Sequence, residues 1–315
     1  MKKTWYLIIL LLILTFTIGW FLFKQPDAGV SETSKLQVSV SLPLLRNLAE
    51  EIGGDQVEVT SIINGPSCNH EYEPASGDLI KVSRAAIFVK AGLGFDLWAD
   101  KMAASAGKNM AVIDASEGVA VIIDEDHEHG EDAGHEDETG IDEPEGHHHE
   151  LGNPHYWGNP ENVKIMAANI LKGLSQASPE KEGYFNRNYQ AYLAKLDQTL
   201  AELNAELGKV SSKKVISYSA AFPYLYQYFG LDNLATVEIT CEQEVSPKRL
   251  AEAVTLMRAN QIKIIIGEAI YPKLPEKLAQ ESGAKLALLW PATNESGDYL
   301  GTLTENVKKL AAALE

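Results

Sequence analysis

Eight histidines stand in this 315-residue chain, and their placement is uneven. Six of them, His127, His129, His135, His147, His148 and His149, fall within residues 124–150, a stretch dense in Asp and Glu with neither Lys nor Arg. The other two, His70 and His155, each sit in a turn-forming segment: Gly65-Pro66-Ser67-Cys68-Asn69-His70-Glu71-Tyr72-Glu73-Pro74 and Gly152-Asn153-Pro154-His155-Tyr156-Trp157. Imidazole nitrogen is a borderline-soft donor suited to zinc and its neighbours in the first transition row. A lone loop histidine is more often a surface residue, so on residue type alone ligation stays open for both. The 124–150 stretch cannot bury a core. Its imidazoles and carboxylates would collect metal ions weakly and in several stoichiometries, or serve only as a solvated acidic loop. Nothing catalytic accompanies these residues, since the chain has no Gly-x-Ser-x-Gly elbow, phosphate-binding glycine loop or His-Glu-x-x-His pair. Gly92-Leu93-Gly94 lacks the third glycine and downstream acid of a dinucleotide fingerprint and reads as a tight strand-to-helix turn.

The elements that must hold these residues alternate. Apolar, β-branched runs at 36–42, 57–63, 86–91 and 110–114 predict strands, with helices over 43–52, 77–84 and 95–106 between them. The rhythm returns with strands at 215–218, 235–239, 262–266 and 286–289 and helices at 247–260 and 272–282. This is the pattern of parallel α/β layers, and in such sheets ligands bind in loops beyond the carboxyl ends of the strands. Between the two runs, Phe185, Tyr189, Tyr192, Leu196, Leu200, Leu203 and Leu207 form a helical stripe from Pro179 to Gly208. At 1.5 Å per residue that helix would extend roughly 40 Å, enough to join two lobes as one stiff connector. The expected organisation is a signal or anchor at 1–24, a linker at 25–35, a first lobe at 36–178, the joining helix at 179–208 and a second lobe at 209–315. Lys2 and Lys3 precede an apolar run from Trp5 to Phe23, which is long for a cleaved signal and long enough to span a bilayer. The lysine pair would place everything after Lys24 outside the cytoplasm. A net charge of -17 supplies no basic surface for phosphates and sets nucleic-acid binding aside.

Asn69-His70-Glu71-Tyr72-Glu73-Pro74, Asn153-Pro154-His155-Tyr156-Trp157, Ala221-Phe222-Pro223-Tyr224 before Gly230-Leu231, and Glu268 with Gly283-Ala284-Lys285 resemble the zinc/manganese-binding solute-binding proteins of ABC transporters, in the family's order and from about Leu36 to the end. The resemblance implies two Rossmann-like lobes joined by a rigid helix, a metal cleft between them, and His70 and His155 as ligands. It implies no enzymatic step. It also implies delivery of the metal, by a monomer on the extracytoplasmic side, to a membrane permease with its cytoplasmic ATPase. An insert rich in histidine favours Zn2+, with Mn2+ or another divalent transition metal as the alternative. The second lobe departs from the pattern. Ser219 stands where members carry His or Glu, and the acidic ligand near the last strand would fall at Trp290-Pro291. Cys241 and Cys68 are candidate replacements, since two thiolates and two imidazoles would make a tetrahedral Cys/His site. The competing reading is a Cys68–Cys241 disulfide in an oxidising compartment, and the third is two idle cysteines. Glu268 is a candidate oxygen ligand. The missing ligands also admit an exported metal-buffering or adhesin-like protein that keeps the fold without transport.

Overall fold

The computed structural model describes residues 35–65, 72–107, 110–123, 152–238 and 245–315. The candidate signal or anchor, His70 and Cys68, the acidic insert and its six histidines, and Cys241 lie outside the described residues. Among the described residues no helix is long and apolar enough to cross a membrane. Leu36–Glu315 forms one compact unit.

Its first half runs β1 (Leu36–Val40), α1 (Pro43–Gly53), β2 (Val57–Ser61), α2 (Ser76–Ser83), β3 (Ile87–Lys90), α3 (Leu97–Ala106), β4 (Ala111–Asp114) and α4 (Pro160–Ala177). A long helix, α5 (Glu182–Leu207), follows one turn of 3-10 helix at Pro179–Lys181. The second half runs β5 (Lys214–Ser219), α6 (Pro223–Phe229), β6 (Asp232–Glu238), α7 (Pro247–Asn260), β7 (Ile264–Glu268), α8 (Lys273–Ser282), β8 (Lys285–Leu289) and α9 (Tyr299–Leu314). Each half makes a four-stranded parallel sheet, in the orders β2-β1-β3-β4 and β6-β5-β7-β8. All the carboxyl ends of one sheet therefore lie along one edge, and the loops that leave them are neighbours.

Helix starts follow local chemistry. Pro43, Pro160, Pro223 and Pro247 occupy first-turn positions, where a missing N–H costs nothing. Asn159, Ser246 and Asp298 accept N–H bonds from the first turns of α4, α7 and α9. Helix α5 packs against α1 and α4 of the first half and α9 of the second, so it touches both halves. Phe185, Tyr192, Leu196, Leu200, Leu203 and Leu207 are its buried residues, which is the stripe read from the sequence with Tyr189 left at its margin. One apolar cluster runs without a break from Val38 and Leu45 through Tyr192 and Leu203 to Ile266, Leu289 and Tyr299. A smaller one, with Ile216, Ile265, Met257 and Leu278, fills the outer side of the second sheet.

Two departures bear on the site. The helix expected from Phe95 starts at Leu97, because Gly92, Leu93 and Gly94 all take positive φ and Asp96 closes the turn. The strand expected at 262–266 runs Ile264–Glu268, which puts Glu268 at the last ladder position, opposite Leu289. Helices α4, α6 and α9 fill stretches that the strand-and-helix rhythm left unassigned.

Candidate metal centre

His155 lies at the rim of the first sheet and is only 9 % exposed. Its ring is enclosed edge-to-face by Phe95 and Trp157, each with a centroid 5.7 Å away. The segment that carries it is fastened on every side. Tyr156 donates its hydroxyl to the Ala91 carbonyl at the end of β3, 2.6 Å away. Trp157 donates its indole N–H to the Pro291 carbonyl beyond β8, and Tyr299 of α9 donates to the Trp157 carbonyl. The loop holding an expected ligand is thus bonded to both halves of the molecule.

The stems of the acidic insert close beside this histidine. Asn153 N–H donates to the Ile122 carbonyl at 2.8 Å, while Ile122 N–H donates to the Tyr224 hydroxyl. That hydroxyl in turn donates to the Asn153 carbonyl at 2.9 Å. Gly152 permits the approach: its φ is +85°, and a Cβ there would sit 2.3 Å from Val121 Cγ1 and 2.8 Å from the Ile122 oxygen.

In the second half, Glu268 is 5 % exposed at the end of β7, and Ser219 at the end of β5 donates its hydroxyl to the Glu268 carboxylate. Burial pushes the Glu268 carboxyl up, and the Ser219 hydroxyl offsets part of that. A cation beside a buried carboxylate would compensate its charge. Ser219 also accepts from Ala221 N–H. The turn between Ser219 and Ala221 meets the histidine loop directly, because Asn153 Nδ2 donates to the Ala220 carbonyl at 2.9 Å. His155, Asn153, Ala220, Ser219 and Glu268 therefore form a continuous chain of contacts from the rim of one sheet to the rim of the other.

The remaining sequence candidates divide. Two residues after His70 in sequence, Tyr72 is held by a hydroxyl bond to Asp78 (2.8 Å) and by its ring against Trp98 (5.1 Å). Asp78 also accepts from Ala75 N–H and Lys81 Nζ. Trp290, where an acidic ligand would be expected, is turned towards α9: its indole N–H donates to Glu305 Oε1 at 3.0 Å and Lys309 Nζ lies 5.9 Å from its ring. Asn306 satisfies both backbone groups of Trp290. Among the described residues no three His, Cys, Asp or Glu side chains converge, so His155 and Glu268 are the described part of the expected set. Sequence reasoning gave no role to Asn153 or Asp96. Asn153 was legible as an Asx-type turn residue two positions before the histidine, whereas nothing local marks Asp96.

Comparison with known proteins agrees with this fold. Residues 38–313 match the family model described as ZnuA, zinc-uptake complex component A, periplasmic. The manganese ABC transporter substrate-binding lipoprotein PsaA of Streptococcus pneumoniae is 27 % identical over 322 residues, covering 97 % of this chain and 97 % of that protein. The zinc-binding lipoprotein AdcA of Streptococcus pneumoniae (strain ATCC BAA-255 / R6) is 28 % identical over 302 residues, covering 91 % of this chain and 56 % of AdcA. The crystal structure of ZnuA superposes with a TM-score of 0.76 at 26 % identity, over 89 % of this chain and 100 % of that one. A ZnuA deletion mutant lacking 138–173, with zinc bound, gives a TM-score of 0.75 at 26 % identity, over 89 % and 98 % of the two chains.

Proposed function

Since the chain belongs to the ZnuA family of periplasmic zinc-uptake components, in which the metal-binding, substrate-binding component serves ABC-type metal import, we propose that its cargo is zinc, held between the two sheets by His155 and Glu268. The observation that carries this reading is the contact chain from His155 through Asn153 and Ala220 to Ser219 and Glu268, which brings a buried imidazole and a buried carboxylate to facing rims of two parallel sheets. The imidazole and carboxylate supply one nitrogen and one oxygen donor. His70 is the third ligand in this proposal, and a thiolate, Cys241 or Cys68, completes a four-coordinate set where the second lobe lacks the usual donors. Ser219 then acts by orienting Glu268 rather than by binding metal, because a neutral hydroxyl is a weak zinc donor.

The relatives divide between zinc and manganese by name. Imidazole and thiolate donors favour zinc, whereas manganese prefers oxygen-rich sets. The acidic insert departs and returns at Ile122 and Asn153, two residues before His155, so ions gathered on its histidines would be released at the mouth of the centre. We place the protein on the extracytoplasmic face of the membrane, held by the apolar segment of residues 5–23, and serving an ABC permease with a cytoplasmic ATPase.

The test is a zinc titration of the protein against a competing chelator, with cysteines reduced and then oxidised, repeated with manganese as competitor. One tight site that prefers zinc is expected. Tight binding under reduction alone makes the thiolates ligands, and survival on oxidation leaves His70, His155 and Glu268 as the set. Tighter manganese binding in both states would overturn the assignment of zinc.

A further inference from the structure

The amide of Asn153 touches both the ring of His155 and the opposite half of the molecule, and the chemistry of its partners fixes which atom does which. Asn153 Nδ2 lies 2.9 Å from the Ala220 carbonyl, which can only accept, so that end of the amide is the nitrogen. Oδ1 then accepts from the His155 backbone N–H, a group that can only donate, at 3.0 Å. The same oxygen is 3.2 Å from His155 Nδ1. Two lone pairs do not share a hydrogen bond, so Nδ1 must carry the hydrogen, and the neutral ring keeps its basic lone pair on Nε2.

We propose that Asn153 is the positioning residue for metal capture: it holds His155 in the Nδ1–H tautomer, which presents Nε2 as the donor atom. The proposal rests on the reading that His155 is a ligand. Asn153 is 2 % exposed, so bulk water cannot take over its bond to the ring. Its backbone is fixed by Ile122 and Tyr224, and its Nδ2 by Ala220. The amide therefore has no freedom to turn, and the Nε2–H tautomer would set a ring lone pair against Oδ1. Phe95 and Trp157 hold the ring plane while Asn153 holds the proton, so the ligand reaches the ion already in its binding form. Outer partners of metal-bound histidines act in this way, fixing tautomer and orientation. Here the same side chain is also a bond between the two halves, so the tautomer depends on those halves keeping their present spacing.

The experiment is nitrogen-15 NMR of the full chain in detergent, metal-free and with labelled histidine, the His155 signals being assigned by their loss in His155→Gln. Wild type is expected to show Nδ1 protonated and Nε2 unprotonated. Asn153→Leu should move the ring towards the Nε2–H form and weaken zinc binding about 10–100-fold. Tyr224→Phe removes the hydroxyl's bonds with Ile122 N–H and the Asn153 backbone carbonyl but leaves the Asn153 side-chain amide and its bond to the ring in place, so it should keep the Nδ1–H tautomer. A wild-type ring protonated on Nε2 would overturn the proposal even if no variant folds. So would an unchanged tautomer in Asn153→Leu, or a Tyr224→Phe shift as large as that of Asn153→Leu. The tautomer is read without metal. Zinc affinity unchanged in His155→Ala would instead sink the reading that His155 is a ligand.

Discussion

Asp96 accepts backbone N–H groups from Ala91 and Gly92 at 2.6 and 2.9 Å, and it is 2 % exposed. Both donors face the end of β3, where Tyr156 takes the Ala91 carbonyl, so this carboxylate supports the loop that carries His155 from beneath. Ser41 Oγ also accepts from Ala91 N–H, which leaves Gly92 N–H as the group most dependent on Asp96. Asp96→Ala should cost about 2–3 kcal/mol, the scale for stranding a buried donor, measured as a lower urea midpoint at unchanged slope. Charge acts in opposite directions at Asp96 and Glu305. Burial pushes the Asp96 carboxyl above its usual range, so its titration favours the folded state in acid and that contribution is lost as pH rises. Bonds from Lys309, Asn294 and Trp290 hold Glu305 down at about 2, so its stabilisation is complete above the ordinary carboxylate pKa and is lost as pH falls from about 4.5 towards 2. Glu305→Gln should therefore lower stability at neutral pH and flatten the acid limb of the stability–pH curve. An acid limb as steep as that of wild type would show that Glu305 contributes nothing to it.

At the scale of elements, the strand-to-helix turn after β3 depends on Gly92, whose φ is +77° and whose added Cβ would lie 2.0 Å from Asp114 Oδ1. Gly92→Ala should destabilise by about 1–3 kcal/mol from backbone strain alone, and thermal melts would register it. The stems of the acidic insert suggest a second expectation. Ile122 and Asn153 are already bonded, so excising 124–150 behind a short connector should leave His155 in place. Zinc titration should then show the weak sites gone and one tight site kept, whereas loss of the tight site would place ligands in the insert. The alternation of strands and helices was legible because parallel strands buried on both faces read as apolar runs, such as Ile87-Phe88-Val89 and Ile264-Ile265-Ile266. Strand ends were less legible. β6 begins at Asp232 and Asn233, polar residues placed in the sheet by bonds rather than by burial, Asp232 N–H donating to the Lys213 carbonyl and Asn233 Oδ1 accepting from Ser217 N–H. Helix α6 is seven residues between Pro223 and Gly230, too short for periodicity to reveal.

At the scale of the molecule, one apolar cluster and one long helix are shared by both sheets, and only the smaller cluster belongs to the second half alone. Urea unfolding should follow a single transition, with tryptophan fluorescence and far-UV circular dichroism coincident; two separated transitions would mean that the lobes unfold singly. The candidate centre was partly legible for the same structural reason. His155 and Glu268 announce themselves as a turn histidine and a charged residue ending an apolar strand. Their link through Asn153, Ala220 and Ser219 joins residues up to 115 positions apart and exists only once the sheets face each other. The most direct test of that link is a chelator-competition zinc titration comparing wild type, His155→Ala and Glu268→Gln. The glutamine keeps the volume of Glu268 and an acceptor for the Ser219 hydroxyl while removing the charge. Each variant should lose affinity on the order of 100-fold, one ligand's share of a structural zinc site, with its urea midpoint little changed. Wild-type affinity in both variants would contradict a zinc centre held between the two sheets.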